Sequence, residues 1–233
     1  MPFVIVEALF QGFTQLDFTG PHTVLYRLPD TEVVVASVDG GDVRSDGGLV
    51  FAGTKALRDV ERCDLLLVPG GVTATEAALD ASLLAELRRL AAGAKYLTSV
   101  CTGSLVLGAA GLLRGKRAGC HWAWRDMLTL FGAIPDAGRV VRDGDIITGG
   151  GVTAGIDFAL VVAAELAGPT VAQAIQLAIE YAPAPPFTAG RPETAPEEVR
   201  AIIEQRNAGI LPQRRAEAEE AARRLLQFEH RTR

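Results

Sequence analysis

The sequence predicts an α/β fold, a mostly parallel sheet sandwiched by helices. Three patterns point there. Short apolar, β-branched runs alternate with helix-compatible runs along most of the chain. The run at 64–71, Asp64-Leu65-Leu66-Leu67-Val68-Pro69-Gly70-Gly71, is apolar without polar alternation, as expected of a strand covered on both faces. Glycines gather where these runs end, and in such sheets ligands bind beyond the carboxyl ends of the strands.

In chain order, residues 3–10 read as a buried strand broken only by Glu7, a carboxylate that has to lie at a rim or be paired. A turn at 11–17 leads into a helix expected from Asp17 to about Leu28, with Gly20-Pro21 marking its first turn. Residues 32–38 form a second strand. The glycines at 40, 41, 47 and 48 punctuate a hairpin over about 43–51. The strand at 64–71 is followed by an amphipathic helix at 83–92 and a strand at 95–100.

That last strand stops abruptly in Cys101-Thr102-Gly103, and a helix-compatible run over 104–110 starts at once. A helix is expected at 121–131, containing Trp122 and Trp124. A hairpin is expected at 139–148 with Asp143-Gly144 at its apex, then helices at 154–166 and 170–181. From Pro183 the texture changes to a proline-stiffened stretch, then helices at about 195–205 and 213–228. The chain is therefore expected to consist of an α/β domain, 1–182, and a helical C-terminal extension, 183–233. Glu219–Arg223 and Glu220–Arg224 give the last helix a solvated, salt-bridged face, while Leu225, Leu226 and Phe228 need cover from the domain or from a second subunit.

Composition narrows the function. Hydrophobic residues make up 48% and charged residues 22%, ordinary values for a packed domain. A net charge of −5 offers no basic face for nucleic acid, and no apolar run is long enough to span a bilayer. The N-terminal run enters a strand without a charged leader, so a cytoplasmic location is expected. Three cysteines without a close pair, and three scattered histidines, suggest neither a disulfide framework nor a metal site. No metal and no cofactor are expected.

The chemistry centres on Cys101. A sharp strand-to-helix turn holds a side chain out at the end of a sheet, and a helix N-terminus stabilises thiolate and lowers the thiol pKa. The alternative is a small buried hydrophobe capping a core strand. Four loops converge at the same end of the predicted sheet, at 11–17, 69–72, 101–103 and 149–152. Together they supply a carboxylate, a thiol and backbone N–H groups that glycine leaves approachable.

Leu67-Val68-Pro69-Gly70-Gly71, Ser99-Val100-Cys101-Thr102-Gly103-Ser104 and Gly119-Cys120-His121-Trp122 resemble the DJ-1/PfpI superfamily, a class I glutamine amidotransferase-like, flavodoxin-like fold. Within it, the segments at 10–21, 148–158 and 179–187 resemble the isonitrile hydratase branch. The resemblance covers essentially the whole chain. It implies Cys101 as nucleophile and, from the loop after the first strand, an acidic partner at Asp17. Relatives usually carry Glu there, and Asp resembles the isonitrile hydratases. Thr102 stands where peptidase-like and glyoxalase-like relatives tend to have His. Cys120 departs from the usual Thr before His-Trp, and reads as a packing change or an oxidisable neighbour of the pocket.

The expected reaction is hydration of an isonitrile to an N-substituted formamide through a Cys101 thioimidate, with Asp17 as acid and base. Thr102 offers a hydroxyl to orient Asp17, and its N–H would meet developing charge together with that of Gly71. Gly150 would let main chain approach the substrate. Val152 and Phe18 are candidate apolar walls, Phe18 equally a core residue. His22 reads as a structural group, His121 as a cap or packing residue, His230 as solvated. The expected partners are a small-molecule isonitrile and, from the resemblance, a second copy in a homodimer, with no nucleic acid and no membrane. Two rival readings stay open: a glyoxalase or deglycase-like enzyme on small carbonyls, and a cysteine-based redox or stress sensor. A stand-alone regulator of the AraC type is disfavoured by the absence of a basic recognition surface.

Overall fold

The computed structural model describes residues 1–232; Arg233, the last position of the expected extension, lies outside the described residues. An eight-stranded sheet runs through the molecule. Its strands are β1 (Phe3–Leu9), β2 (Thr31–Ser37), β3 (Gly41–Arg44), β4 (Val50–Ala56), β5 (Leu65–Val68), β6 (Tyr96–Val100), β9 (Val140–Asp143) and β10 (Ile146–Gly149). Strands β7 (Arg117–Gly119) and β8 (Ile134–Asp136) form a small parallel pair outside it. The spatial order is β3-β4-β2-β1-β5-β6-β10-β9. The six strands from β4 to β10 pair in parallel, and an antiparallel hairpin closes each edge.

The order decides where a ligand can sit. From β1 the chain steps to β2 on one side and later returns through β5 on the other. The loops leaving β1 and β5 therefore diverge at a topological switch point. Asp17 follows β1, Gly70 and Gly71 follow β5, and Cys101 follows β6.

Alternation along each strand feeds two apolar layers. On one face, Val4, Val6 and Ala8 of β1 pack with Leu83, Leu87, Leu105 and Leu128. On the other, Ile5, Leu65, Leu67 and Val100 pack with Val24, Leu25, Phe158 and Val162. Each such Leu or Phe contributes about 1.5–3 kcal/mol by burial. Helices α1 (Gln15–Leu25), α5 (Ala154–Ala167) and α6 (Pro169–Ala178) cover the second face; α3 (Ala81–Ala91) and α4 (Gly103–Ala109) cover the first, beside the short α2 (Ala74–Ala77). Asp80 caps α3, accepting from the N–H groups of Ser82 and Leu83.

The extension forms α7 (Glu197–Ala208) and α8 (Leu211–Thr232). Ala218, Ala221 and Leu225 of α8 join the first apolar layer, so the body of the protein gives Leu225 the cover it needs. Leu226 and Phe228 stay largely exposed, Phe228 under the Arg88 guanidinium. Arg214, almost fully buried, ties α8 to α2 through Glu76 and to its own helix through Glu217 at 2.9 Å.

Several expectations need correction. α1 starts at Gln15 rather than Asp17, which places Pro21 inside the helix, its ring packed where Gly155 of α5 leaves room. Residues 121–131 are not an α-helix. His121 Nδ1 accepts from the N–H of Ala123 in a turn, and a 3₁₀ segment over Arg125–Phe131 ends at Gly132 with φ 73°. The β7–β8 pair carried no alternating pattern to reveal it. On α8, Glu220 binds both Arg223 and Arg224, rather than sharing the work with Glu219.

Candidate active site

Cys101 sits in the left-handed region at φ 56°, a strained conformation for a non-glycine residue. The surroundings hold it there. Its N–H donates to the carbonyls of Gly149 at 3.1 Å and Gly150 at 2.8 Å, which fastens the elbow to the loop leaving β10. A Cβ on Gly103 would lie 2.2 Å from the Val68 carbonyl, so only glycine lets α4 start so close to β5.

Asp17, on the first turn of α1, reaches the same point and is completely buried. Its Oδ2 accepts from the Gly70 N–H at 3.0 Å, while Oδ1 has no hydrogen-bond partner. Burial pushes the Asp17 carboxyl up to about 7, against the opposing influence of the Cys101 thiol and the Gly70 N–H; the Asp46 carboxylate adds a small upward push. Cys101 does not behave as the helix N-terminus suggested. Burial, then the Asp17 charge, raises its thiol well above the usual value, and the N–H of Thr102 offsets only part of that. α4 has only seven residues, and the sulfur is too dry for its dipole to prevail. At neutral pH the pair therefore holds a proton on sulfur beside a carboxyl poised to accept it, and the two titrate as a unit.

Thr102 also departs from expectation. Its hydroxyl does not touch Asp17; it donates to the Gly71 carbonyl and accepts from the Gly71 N–H, both at 2.9 Å. This clamps the Pro69–Val72 loop to the elbow. It also occupies the Gly71 N–H, leaving that of Thr102 as the donor that faces sulfur. Gly70 is the residue that sequence reasoning passed over. Its Cβ would lie 2.5 Å from Thr102 N, 2.7 Å from Asp17 Oδ2 and 2.8 Å from Cys101 Cβ.

A cavity of about 680 Å³ is walled by the loops next to this cluster, Val72 following Gly71 and Val152 following Gly151, while Cys101 and Asp17 themselves stay buried behind its lining. Its lining includes Thr14 after β1, Asp46 after β3, Val72 after β5, His121, Trp122 and Trp124 after β7, and Val152 after β10. Val152 also lines an adjoining cavity of about 240 Å³ that reaches Cys120, and Gly150 lines that cavity alone. Phe18 lines neither. It is buried edge-on against Phe13 and Phe51, so it is core. His22 bonds Glu7 at 2.6 Å and is absorbed in a structural pair. His121, read from the sequence as a cap or packing residue, lines both cavities. Burial pushes its imidazole down to about 4, so it is neutral, and because Nδ1 accepts from Ala123 the ring proton lies on Nε2. Cys120 is buried beside Ser104, its thiol pushed up to about 12, which keeps it unreactive as a base or nucleophile. Among the described residues, no group of three or more His, Cys, Asp or Glu could hold a metal ion.

Residues 4–165 match the model of the DJ-1/PfpI family. The chain belongs to that family. It is 51% identical over 217 residues to the isonitrile hydratase of Pseudomonas putida, covering 93% of this chain and 95% of that protein. Among solved structures, it resembles a ThiJ/PfpI family protein from Pseudomonas syringae with a TM-score of 0.90 and 42% identity, over 95% of this chain and 91% of that one. Drosophila melanogaster DJ-1beta superposes with a TM-score of 0.69 at 26% identity; all of that chain is matched by 78% of this one. The family fold thus occupies the body, and much of what lies beyond it is the extension. Of that extension, Arg191, Val199, Arg200, Ile203, Arg206 and Ile210 wall the larger cavity. Composition alone had marked that segment only as a change of texture.

Proposed function

We propose that this protein is an isonitrile hydratase, adding water to R–N≡C to give R–NH–CHO. The observation that carries the reading is the buried Asp17 carboxyl against the Cys101 thiol, with a proton affinity near neutrality. The 51% identical relative named isonitrile hydratase supports the same reaction.

In the first half, the Cys101 sulfur bonds to the isonitrile carbon while its proton passes to Asp17 and from there to that carbon. The product is a thioimidate, R–N=CH–S–Cys101, and no atom is gained or lost. The Thr102 N–H stabilises sulfur as charge builds on it. In the second half, Asp17 takes a proton from water as the oxygen adds to the thioimidate carbon, and a proton reaches nitrogen. Collapse of the tetrahedral adduct expels sulfur, which recovers a proton, and releases the formamide. Asp17 Oδ1, buried and without a partner, is the atom available for these transfers. The apolar side chains around the cavity suit an uncharged, nearly linear reacting group.

Residues 1–182 carry the chemistry in this reading, and 183–233 form an extension that walls the substrate cavity. Leu177 and Phe187, 81% and 79% exposed, support a homodimer. None of the described helices is long and apolar enough to cross a membrane, and three free cysteines support a cytoplasmic setting.

The test is formamide formation from a simple aliphatic or aryl isonitrile, with Cys101→Ala and Asp17→Asn alongside. Turnover lost in both variants is expected. Absence of formamide from the wild type, with Cys101 still alkylated, overturns the reading in favour of a carbonyl substrate or a redox sensor.

A further inference from the structure

The larger cavity carries two chemistries, and isonitrile hydration uses only one of them. On the side of the loops that follow β5, β7 and β10 it is apolar and aromatic, lined by Val72, Trp122, Trp124 and Val152. Its far wall, contributed by the extension, includes Arg191, Arg200 and Arg206, all three of them exposed. Two carboxylates bear on that wall. Asp46, also lining the cavity, accepts from the Thr14 hydroxyl, and Glu204 lies one turn from Arg200 at 3.4 Å. Arg191 and Arg206 have no carboxylate partner among the described residues. A neutral isonitrile gives these cations nothing to do. Three arginines on the wall of one concave surface favour an anion there, and a guanidinium is built to take a carboxylate in a two-pronged hydrogen bond.

We propose that the substrate is an isonitrile whose nitrogen substituent carries a carboxylate. The isonitrile carbon lies at Cys101, the body of the substituent packs on Trp122 and Trp124, and the carboxylate is held by Arg191 and Arg206. This inference rests on the hydratase reading. It adds a division of labour: the body performs the reaction, and the extension, all of which lies beyond the residues matched by the family model, selects the substrate. The carboxylate takes no part in bond making, so the reaction balance is unchanged.

The deciding comparison is 4-isocyanobenzoate against its near-isostere 4-isocyanobenzamide. The carboxylate should have a kcat/KM higher by about tenfold or more, expressed in KM, with a gap that narrows as salt is added. In Arg191→Gln/Arg206→Gln the ratio should fall towards one, while Arg206→Lys keeps part of it. Equal kcat/KM for the two compounds, or a ratio the double variant leaves unchanged, overturns the proposal. Failure of both compounds to give formamide defeats the hydratase reading alone. The wall is then read separately with unreactive benzoate and benzamide, titrated into the Cys101→Ala protein. The chain's two tryptophans both line the cavity and report binding directly. Tighter binding of benzoate that depends on the two arginines supports the anion site, and equal binding rejects it.

Discussion

The carboxylate of Asp17 meets the thiol of Cys101 through a gap that Gly70 leaves open. The Gly70 N–H donates to Asp17 Oδ2 at 3.0 Å, and a Cβ at the same residue would stand 2.7 Å from that oxygen and 2.8 Å from Cys101 Cβ. One glycine therefore supplies a hydrogen bond and, by having no side chain, the proximity of acid to nucleophile. The Thr102 hydroxyl, bonded to both polar backbone atoms of Gly71, keeps that glycine in register.

Gly70→Ala should accordingly damage the reaction more than the fold. The Cβ would strike the Thr102 backbone nitrogen at 2.5 Å, so the elbow or the Asp17 carboxyl has to shift. A displacement of about 1 Å between reacting groups costs on the order of 100-fold in rate. Steady-state kinetics on formamide formation should report that loss in kcat, with the circular dichroism spectrum retained. A near wild-type kcat would mean that the Asp17–Cys101 approach is not what limits the reaction.

The pH dependence of kcat/KM follows from the shared proton. With both groups protonated, the thiol has no acceptor and the enzyme is idle. Loss of the Asp17 proton, near pH 7, leaves the singly protonated pair that the mechanism needs. Activity should thus rise through about pH 7 and fall only at a much higher pH, where the thiol proton is lost. A rising limb near pH 4, the ordinary carboxyl value, would remove Asp17 from the role of buried proton carrier.

The same shift is a statement about stability. The folded state binds the Asp17 proton more tightly than the unfolded chain, 3.8 rising to about 7, so its contribution falls as pH climbs from about 4 to 7. Asp17→Asn removes an ionised group from a dry site. It should be more stable than wild type at pH 8, by on the order of 3 kcal/mol, and indistinguishable from it near pH 4. Urea unfolding at the two pH values measures the difference, and an Asn variant no more stable at pH 8 would contradict the buried-charge account.

His22 and Glu7 form the other buried ionic contact beneath α1, 2.6 Å apart with Glu7 fully enclosed. Burial raises the Glu7 carboxyl and the Glu7 hydrogen bond raises the His22 imidazole. His22→Ala strands the carboxylate and should cost about 3 kcal/mol at pH 7. Adding Glu7→Gln to that variant should restore part of the loss. Strictly additive losses in the double-mutant cycle would show that the pair is not coupled.

The extension is held to the body by Arg214, whose guanidinium lies between Glu76 of α2 and Glu217 of its own helix. Arg214→Ala leaves Glu217 in a partly buried site without its cation and should destabilise by about 2 kcal/mol. Proteolysis within 183–210 should also accelerate, because the cavity wall is anchored through α8. Unchanged cleavage would place the anchoring in Ala218, Ala221 and Leu225 instead.

Much of the architecture was legible from periodicity and punctuation. The uninterrupted apolar run of β5 and the Asp143-Gly144 apex were local signals, and they specified local structure correctly. The elbow was legible too, since Cys101-Thr102-Gly103 has to turn within three residues. The β7–β8 pair was not, because three-residue strands are stabilised by what they pack against rather than by their own pattern. Glu7 could be read only as a carboxylate needing a partner; its partner, His22, comes from a different element.

The sequence by itself determined the class of fold and marked Cys101 as the candidate nucleophile, because strand and helix periods and the turn chemistry of Cys101 are properties of neighbouring residues, while the family resemblance singled out Asp17 as its candidate partner. Tertiary structure alone decided what those groups can do. The thiol pKa rises where a helix end suggested a fall, since burial outweighs the dipole of a seven-residue helix. Thr102 serves Gly71 and not Asp17, Phe18 turns into an aromatic cluster, and Gly70 lets Asp17 approach Cys101, all because loops far apart in sequence meet at one switch point of the sheet. Solvation and contact across such loops depend on the packed whole, and no window of residues contains them.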